Sequence, residues 1–113
     1  MRHVLDIDDL TADDLRWVLD AASHRRPPAV LDGAGVALVF EKPSARTRNS
    51  MEMAVTQLGG HPVTIRDDEV GIDVRETAED VARTLGCYHG VLAARVYEHD
   101  KLVRMAAVDA VPV

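Results

Sequence analysis

Residues 36–40 read Val-Ala-Leu-Val-Phe, an apolar run with no polar break. A strand with one wet face alternates apolar and polar side chains, so this run demands cover on both faces of a sheet. Parallel sheets provide that cover, because their crossovers lay helices on either side. The text after it agrees. "ARTRNSMEMAVTQL" sets Met51, Ala54, Val55 and Leu58 on one helical face and is closed by Gly59-Gly60. "PVTI" is a second strand candidate and "RETAEDVARTLG" a helix with Ala78, Val81, Ala82 and Leu85 inward. "GVLAARV" is a third strand, "HDKLVRMAA" a short helix starting near His99, and "VPV" begins something strand-like. Strand and helix in alternation predict an α/β fold: a parallel β-sheet flanked by helices.

Upstream, "LTADDLRWVLDAASHRR" predicts a helix with Thr11 as N-cap, Asp14 completing a capping box, and Pro27-Pro28 as the stop. Leu15, Val18, Leu19 and Ala22 recur at helical spacing, so this face is expected to pack. Trp17 beside them belongs either to the core or to a surface that meets a further part of the protein. Cys87, next to Tyr88 at a helix end, is expected to be a buried, inert thiol facing the sheet. The acidic "RDDEVGIDV" reads as a solvated loop, Asp67 and Asp68 included.

Bulk properties exclude several classes. The 113 residues suit one domain, 1–113, and 47% hydrophobic with 28% charged residues is not a disordered composition. No apolar run nears the roughly 20 residues of a membrane span, and "MRHVLDIDDL" has no signal-peptide core. The expectation is a cytoplasmic protein without a membrane partner. A net charge of −6 opposes general nucleic-acid binding, which neutralises phosphates with a basic surface. The single cysteine and five scattered histidines, none paired at ligand spacing, predict no disulfide and no metal site.

The acids are unevenly spread, and "KPSARTR" is locally basic. If a helix starts near Ala45, its first N–H groups open at the carboxyl end of the first strand, at the positive end of the helix dipole. Ser44 and Thr47 add hydroxyls, and Arg46 and Arg48 add guanidinium forks suited to phosphate oxygens. Arg95 closes the third strand at the same edge. The plainer alternative is that Ser44 is only an N-cap and both arginines are solvated or salt-bridged.

"FEKPSARTRNSMEMAVTQLGGHPV" resembles the carbamoyl-phosphate motif of the transcarbamoylase family, in the version carried by ornithine carbamoyltransferases. The likeness continues through "RETAEDVARTLGCYHGVLAARVYEHDKLVRMA" and covers most of the chain. It implies a three-layer α/β/α carbamoyl-phosphate-binding domain. It further implies that Ser44, Ala45, Arg46 and Thr47 hold the phosphate, that Arg95 reaches its carbonyl and phosphate side, and that Arg48 supports the site. Arg46 and Arg95 would be the catalytic pair. The implied reaction carries the carbamoyl group to ornithine within arginine metabolism, with biosynthesis of arginine as one direction. The resemblance also implies that no cofactor or metal takes part and that the complete protein is a homotrimer.

Two positions depart from the family pattern. Ala45 replaces a threonine, leaving only its main chain to contribute. Gly71 falls where many relatives place a glutamine that reaches the ligand of a neighbouring subunit, and Arg75 is an alternative donor there. The family's H-P-x-Q, D-x-x-x-S-M-G and H-C-L-P segments have no counterpart in these residues. The chain therefore reads as a domain truncated at its C-terminal end, without the amino-acid-binding domain, and inactive alone. Aspartate, putrescine and acetylornithine remain open as acceptors, as does a non-catalytic anion-binding or assembly module of the same fold.

Overall fold

The computed structural model describes all residues, Met1–Val113. Its sheet has strands β1 (Gly35–Phe40), β2 (His61–Arg66) and β3 (Val91–Arg95), all parallel, in the order β2-β1-β3. Central β1 is paired on both edges, Val36 standing level with Pro62 on one side and Val91 on the other. Helices cover both of its faces, and that is why its apolar run is unbroken.

Side-chain alternation along β1 builds two cores. Val36, Leu38 and Phe40 face helix α2 (Ala45–Gln57) and meet Val55, with Met51 against them. Ala37 and Val39 face the other way, joining Leu92 of β3 with Ala78, Val81 and Ala82 of α4 (Ala78–Gly86) and Met105 of α5 (His99–Ala107). The result is the three-layer α/β/α arrangement. Each fully buried Leu or Met contributes about 1.5–3 kcal/mol by leaving water, and Leu38, Leu92 and Met105 lie at 0–1% exposure.

The segment after β2 is more structured than its acidity suggests. Asp67–Val70 form a short helix, α3, after which Val70 and Ile72 are buried in the second core. Asp67 and Asp68 stay exposed, as expected of a solvated pair. Gly71 and Asp73 sit in the left-handed region, φ +55° and +60°. Asp73 is held there by Arg104 of α5, and its Oδ1 accepts from the Ala78 N–H at 3.2 Å. Arg75 and Glu76 fall outside α4, which starts only after Thr77 caps it through the Asp80 N–H. At the end of the chain Val111 is buried, and the Leu92 N–H donates to the Pro112 carbonyl at 2.8 Å, without a full ladder.

Two expectations fail. Helix α1 (Ala12–Ser23) has the predicted Thr11–Asp14 capping box but buries none of its residues; Leu15, Trp17, Val18 and Leu19 are all exposed. The two cores are closed by α2 on one face and by α4 and α5 on the other, and no residue of α1 joins either. It is tied instead by Arg2, which donates to Asp14 at 2.5 Å. Cys87 is exposed rather than buried. It lies two residues past inward Leu85, roughly 200° further round the helix, and its thiol points back to the Arg83 carbonyl.

Candidate functional site

The three strand ends stand level: Phe40 pairs with Arg66 of β2 and with Arg95 of β3. Arginine therefore closes both neighbours of the central strand. The two arginines differ in charge balance. Arg66 is 3.2 Å from Asp68, and its N–H donates to Glu69 at 2.7 Å. Arg95 has no carboxylate partner. Its guanidinium crosses to the start of α2, donating to the Ser44 hydroxyl and lying 3.4 Å from Thr47 Oγ1.

Ser44 occupies the N-cap position of α2 without capping it. Its ψ of 80° turns the side chain from the helix, and the hydroxyl is engaged by Arg95. The first intrahelical bond runs from Arg48 N–H to the Ser44 carbonyl at 2.9 Å, so the N–H groups of Ala45, Arg46 and Thr47 have no protein acceptor. Helices α1 and α4 do otherwise, while α5 also lacks a side-chain cap but carries Asp100 in its first turn. Thr11 caps α1 and Thr77 caps α4, and both helices carry acids in their first turn. The first turn of α2 carries none. Uncapped N–H groups at a helix start collect positive potential and are unsatisfied until an anion or water arrives.

Arg46, exposed on that turn, makes no hydrogen bond or ion pair with the protein. Arg48 is 3.9 Å from Glu52, whose other engagement is the Thr64 hydroxyl. It lines a cleft of about 550 Å³ at the carboxyl ends of β1 and β2, which Ser44 and Ala45 of the helix start line as well, with Lys42, Pro43 and Arg66. The structure thus brings Ser44, Ala45, Thr47 and Arg95 together with unneutralised Arg46 beside them, and sets Arg48 on the cleft flank.

Gly71 and Arg75 neither line that cleft nor bond to the cradle. A Cβ at that position would lie 3.0 Å from Arg75 Cγ on a left-handed backbone, which favours glycine there. Arg66 was not singled out as a site residue from the sequence. Its signal is that "PVTIR" ends in the same way as "LAAR".

An unbuffered helix start with backbone donors, two hydroxyls and two uncompensated guanidiniums defines an anion-seating domain of the parallel α/β class, built for a small, multiply charged oxyanion. Residues 2–113 match the family described as "Aspartate/ornithine carbamoyltransferase, carbamoyl-P binding domain", and the chain belongs to that family. Similar proteins include an ornithine carbamoyltransferase of Methanocaldococcus jannaschii, 38% identical over 98% of this chain and 38% of that protein. Among solved structures, the anabolic ornithine carbamoyltransferase of Campylobacter jejuni superposes with a TM-score of 0.93 at 30% identity, over 100% of this chain and 38% of that one. The Pyrococcus furiosus ornithine carbamoyltransferase superposes at 0.90 with 34% identity, over 99% and 38%. The chain spans less than half the length of these relatives. No helix is long and apolar enough to cross a membrane.

Proposed function

We propose that the Ser44–Thr47 turn and Arg95 hold carbamoyl phosphate for transfer of its carbamoyl group to the amine of ornithine, giving citrulline and phosphate. The observation that carries this reading is the helix α2 start: uncapped, free of acids, with Ser44 turned toward Arg95. The amine nitrogen forms a bond to the carbamoyl carbon, the bond from that carbon to the phosphate oxygen breaks, and phosphate leaves with the electron pair. The amine nitrogen gives up a proton, which the departing phosphate takes. Negative charge grows on the carbonyl oxygen and on the departing phosphate, where fixed donors have most effect. Arg46 and the Ala45–Thr47 N–H groups serve the phosphate; Arg95, held over Ser44 and Thr47, serves the side nearer the carbonyl. Ala45 contributes by its main chain alone, and Arg48 steadies the cleft wall through Glu52.

The same reading includes a homotrimer in the cytoplasm as the complete enzyme, working in arginine metabolism, with Arg75 as a group offered to a neighbouring subunit. Calorimetry with carbamoyl phosphate tests the cradle. The wild-type chain should bind and Arg46→Ala should lose most of the heat; equal heats from both would remove the cradle from the reaction. Assay of the complete enzyme with ornithine, aspartate, putrescine and acetylornithine tests the acceptor, and ornithine should be preferred.

Gly71 favours a second reading, a non-catalytic anion-binding module. Its left-handed backbone and lack of a side chain leave nothing at that position to reach a ligand. Binding without turnover by the complete protein would select this reading.

A further inference from the structure

Beside the cradle lies a buried ion pair that no step above uses. Glu41 follows β1 and Lys101 lies on α5; their side chains are 6% and 10% exposed and meet at 2.7 Å. A buried pair is a weak source of stability, because stripping water from both ions costs about what their attraction returns. Its geometry points to another purpose. The Glu41 N–H donates to the Arg95 carbonyl at 3.0 Å. The Glu41 carboxylate accepts from the Tyr97 N–H at 3.1 Å through one oxygen and from Lys101 Nζ through the other. Residues 95–97 are therefore gripped at both ends by one residue, and Lys101 holds that residue's carboxylate in place. The guanidinium of Arg95 extends from this gripped segment to Ser44 and Thr47.

We propose that Glu41 and Lys101 are positioning residues for Arg95: they fix the exit of β3 so that its guanidinium stands over the start of α2. This rests on the cradle reading above and adds to it two residues that act through Arg95. Lys101 lies in phase with inward Met105, four residues on, which turns it toward the sheet.

The test is a double-mutant cycle on carbamoyl phosphate affinity, read by calorimetry on the 113-residue chain. Glu41→Gln should weaken binding tenfold or more in the wild-type background and by less than twofold once Arg95→Ala is present. Equal weakening in both backgrounds, or none in the wild type, overturns the proposal. A wild-type affinity that Arg95→Ala leaves unchanged overturns the cradle reading and this proposal together, so the two failures are distinguishable. Should Glu41→Gln alone not fold, neutral pairs replace it. Glu41→Gln with Lys101→Met keeps an acceptor for Tyr97 and should bind within about threefold of wild type. Glu41→Ala with Lys101→Met loses that acceptor and should bind at least tenfold more weakly. Equal affinities of these two folded variants would overturn the proposal.

Discussion

Replacing Ser44 by aspartate should move stability and ligand binding in opposite directions. The helix α2 start has free N–H groups on Ala45, Arg46 and Thr47 and no acid in its first turn. A carboxylate at the N-cap would meet those donors, and a good cap contributes typically about 1 kcal/mol where none existed. Its charge at the positive end of the dipole adds about 0.3–1 kcal/mol. The half-exposed pairing with Arg95 adds at most about 1 kcal/mol. Allowing for the unusual Ser44 ψ, a net gain of about 1 kcal/mol is reasonable, which in a domain of this size raises Tm by roughly 3–6 °C. Binding should collapse. A unit charge pair about 4 Å apart at an effective dielectric of 20 repels by about 4 kcal/mol, and carbamoyl phosphate carries close to two charges. Solvent reduces that, yet about 3 kcal/mol is more than a hundredfold in affinity. Circular dichroism melts and calorimetry with carbamoyl phosphate measure the two quantities. An unchanged affinity, or a lower Tm with a normal affinity, would refute the account of the α2 start as an anion seat.

Further outcomes follow from the same coordinates. Thr77→Ala removes the side-chain cap of α4 and should cost about 1 kcal/mol in urea unfolding. Leu38→Ala, in the fully buried centre of β1, should cost about 2–5 kcal/mol by the same measurement. Stability should fall at both extremes of pH. Arg104 holds the Asp73 carboxyl below its usual range and Arg2 does the same for Asp14; their contributions are present above the ordinary carboxylate value near pH 4 and vanish as pH drops through the depressed folded values. Glu41 raises the Lys101 ammonium above its ordinary value, so that contribution is complete below about pH 10 and is lost as pH climbs through the raised folded value. Asp73→Asn should flatten the acid limb and Lys101→Met the alkaline one, both read from urea midpoints across pH.

Much of the fold is written locally. The unbroken run of β1 requires cover on both faces, and Ala78, Val81 and Ala82 at helical spacing are buried as their periodicity demands. The α2 start was legible for a comparable reason: Thr11 and Thr77 are each followed three residues on by an aspartate, while Ser44 is followed by Thr47. Where the reading failed, the missing information was non-local. Periodicity says that Leu15, Val18 and Leu19 share a face, but whether that face is covered depends on which sheet surfaces other helices have taken. Val70 and Ile72 were hidden because the acids around them dominate the composition, although their alternation about Gly71 sends both inward. Lys101 could be placed on a helix but not matched to Glu41, sixty residues earlier in the chain. That pairing exists only once β1 and α5 share one end of the sheet.

The uncovered face of α1 affects how the protein can be followed in solution. Trp17, the only tryptophan, stands 63% exposed on that helix. Its emission should match that of an indole in water, so the collapse of the sheet and its two cores should pass almost unseen by intrinsic fluorescence. An environment-sensitive hydrophobic dye has the opposite difficulty, finding Leu15, Val18 and Leu19 before any heating begins. The far-ultraviolet signal of the helices that cover the sheet is the better clock for its unfolding.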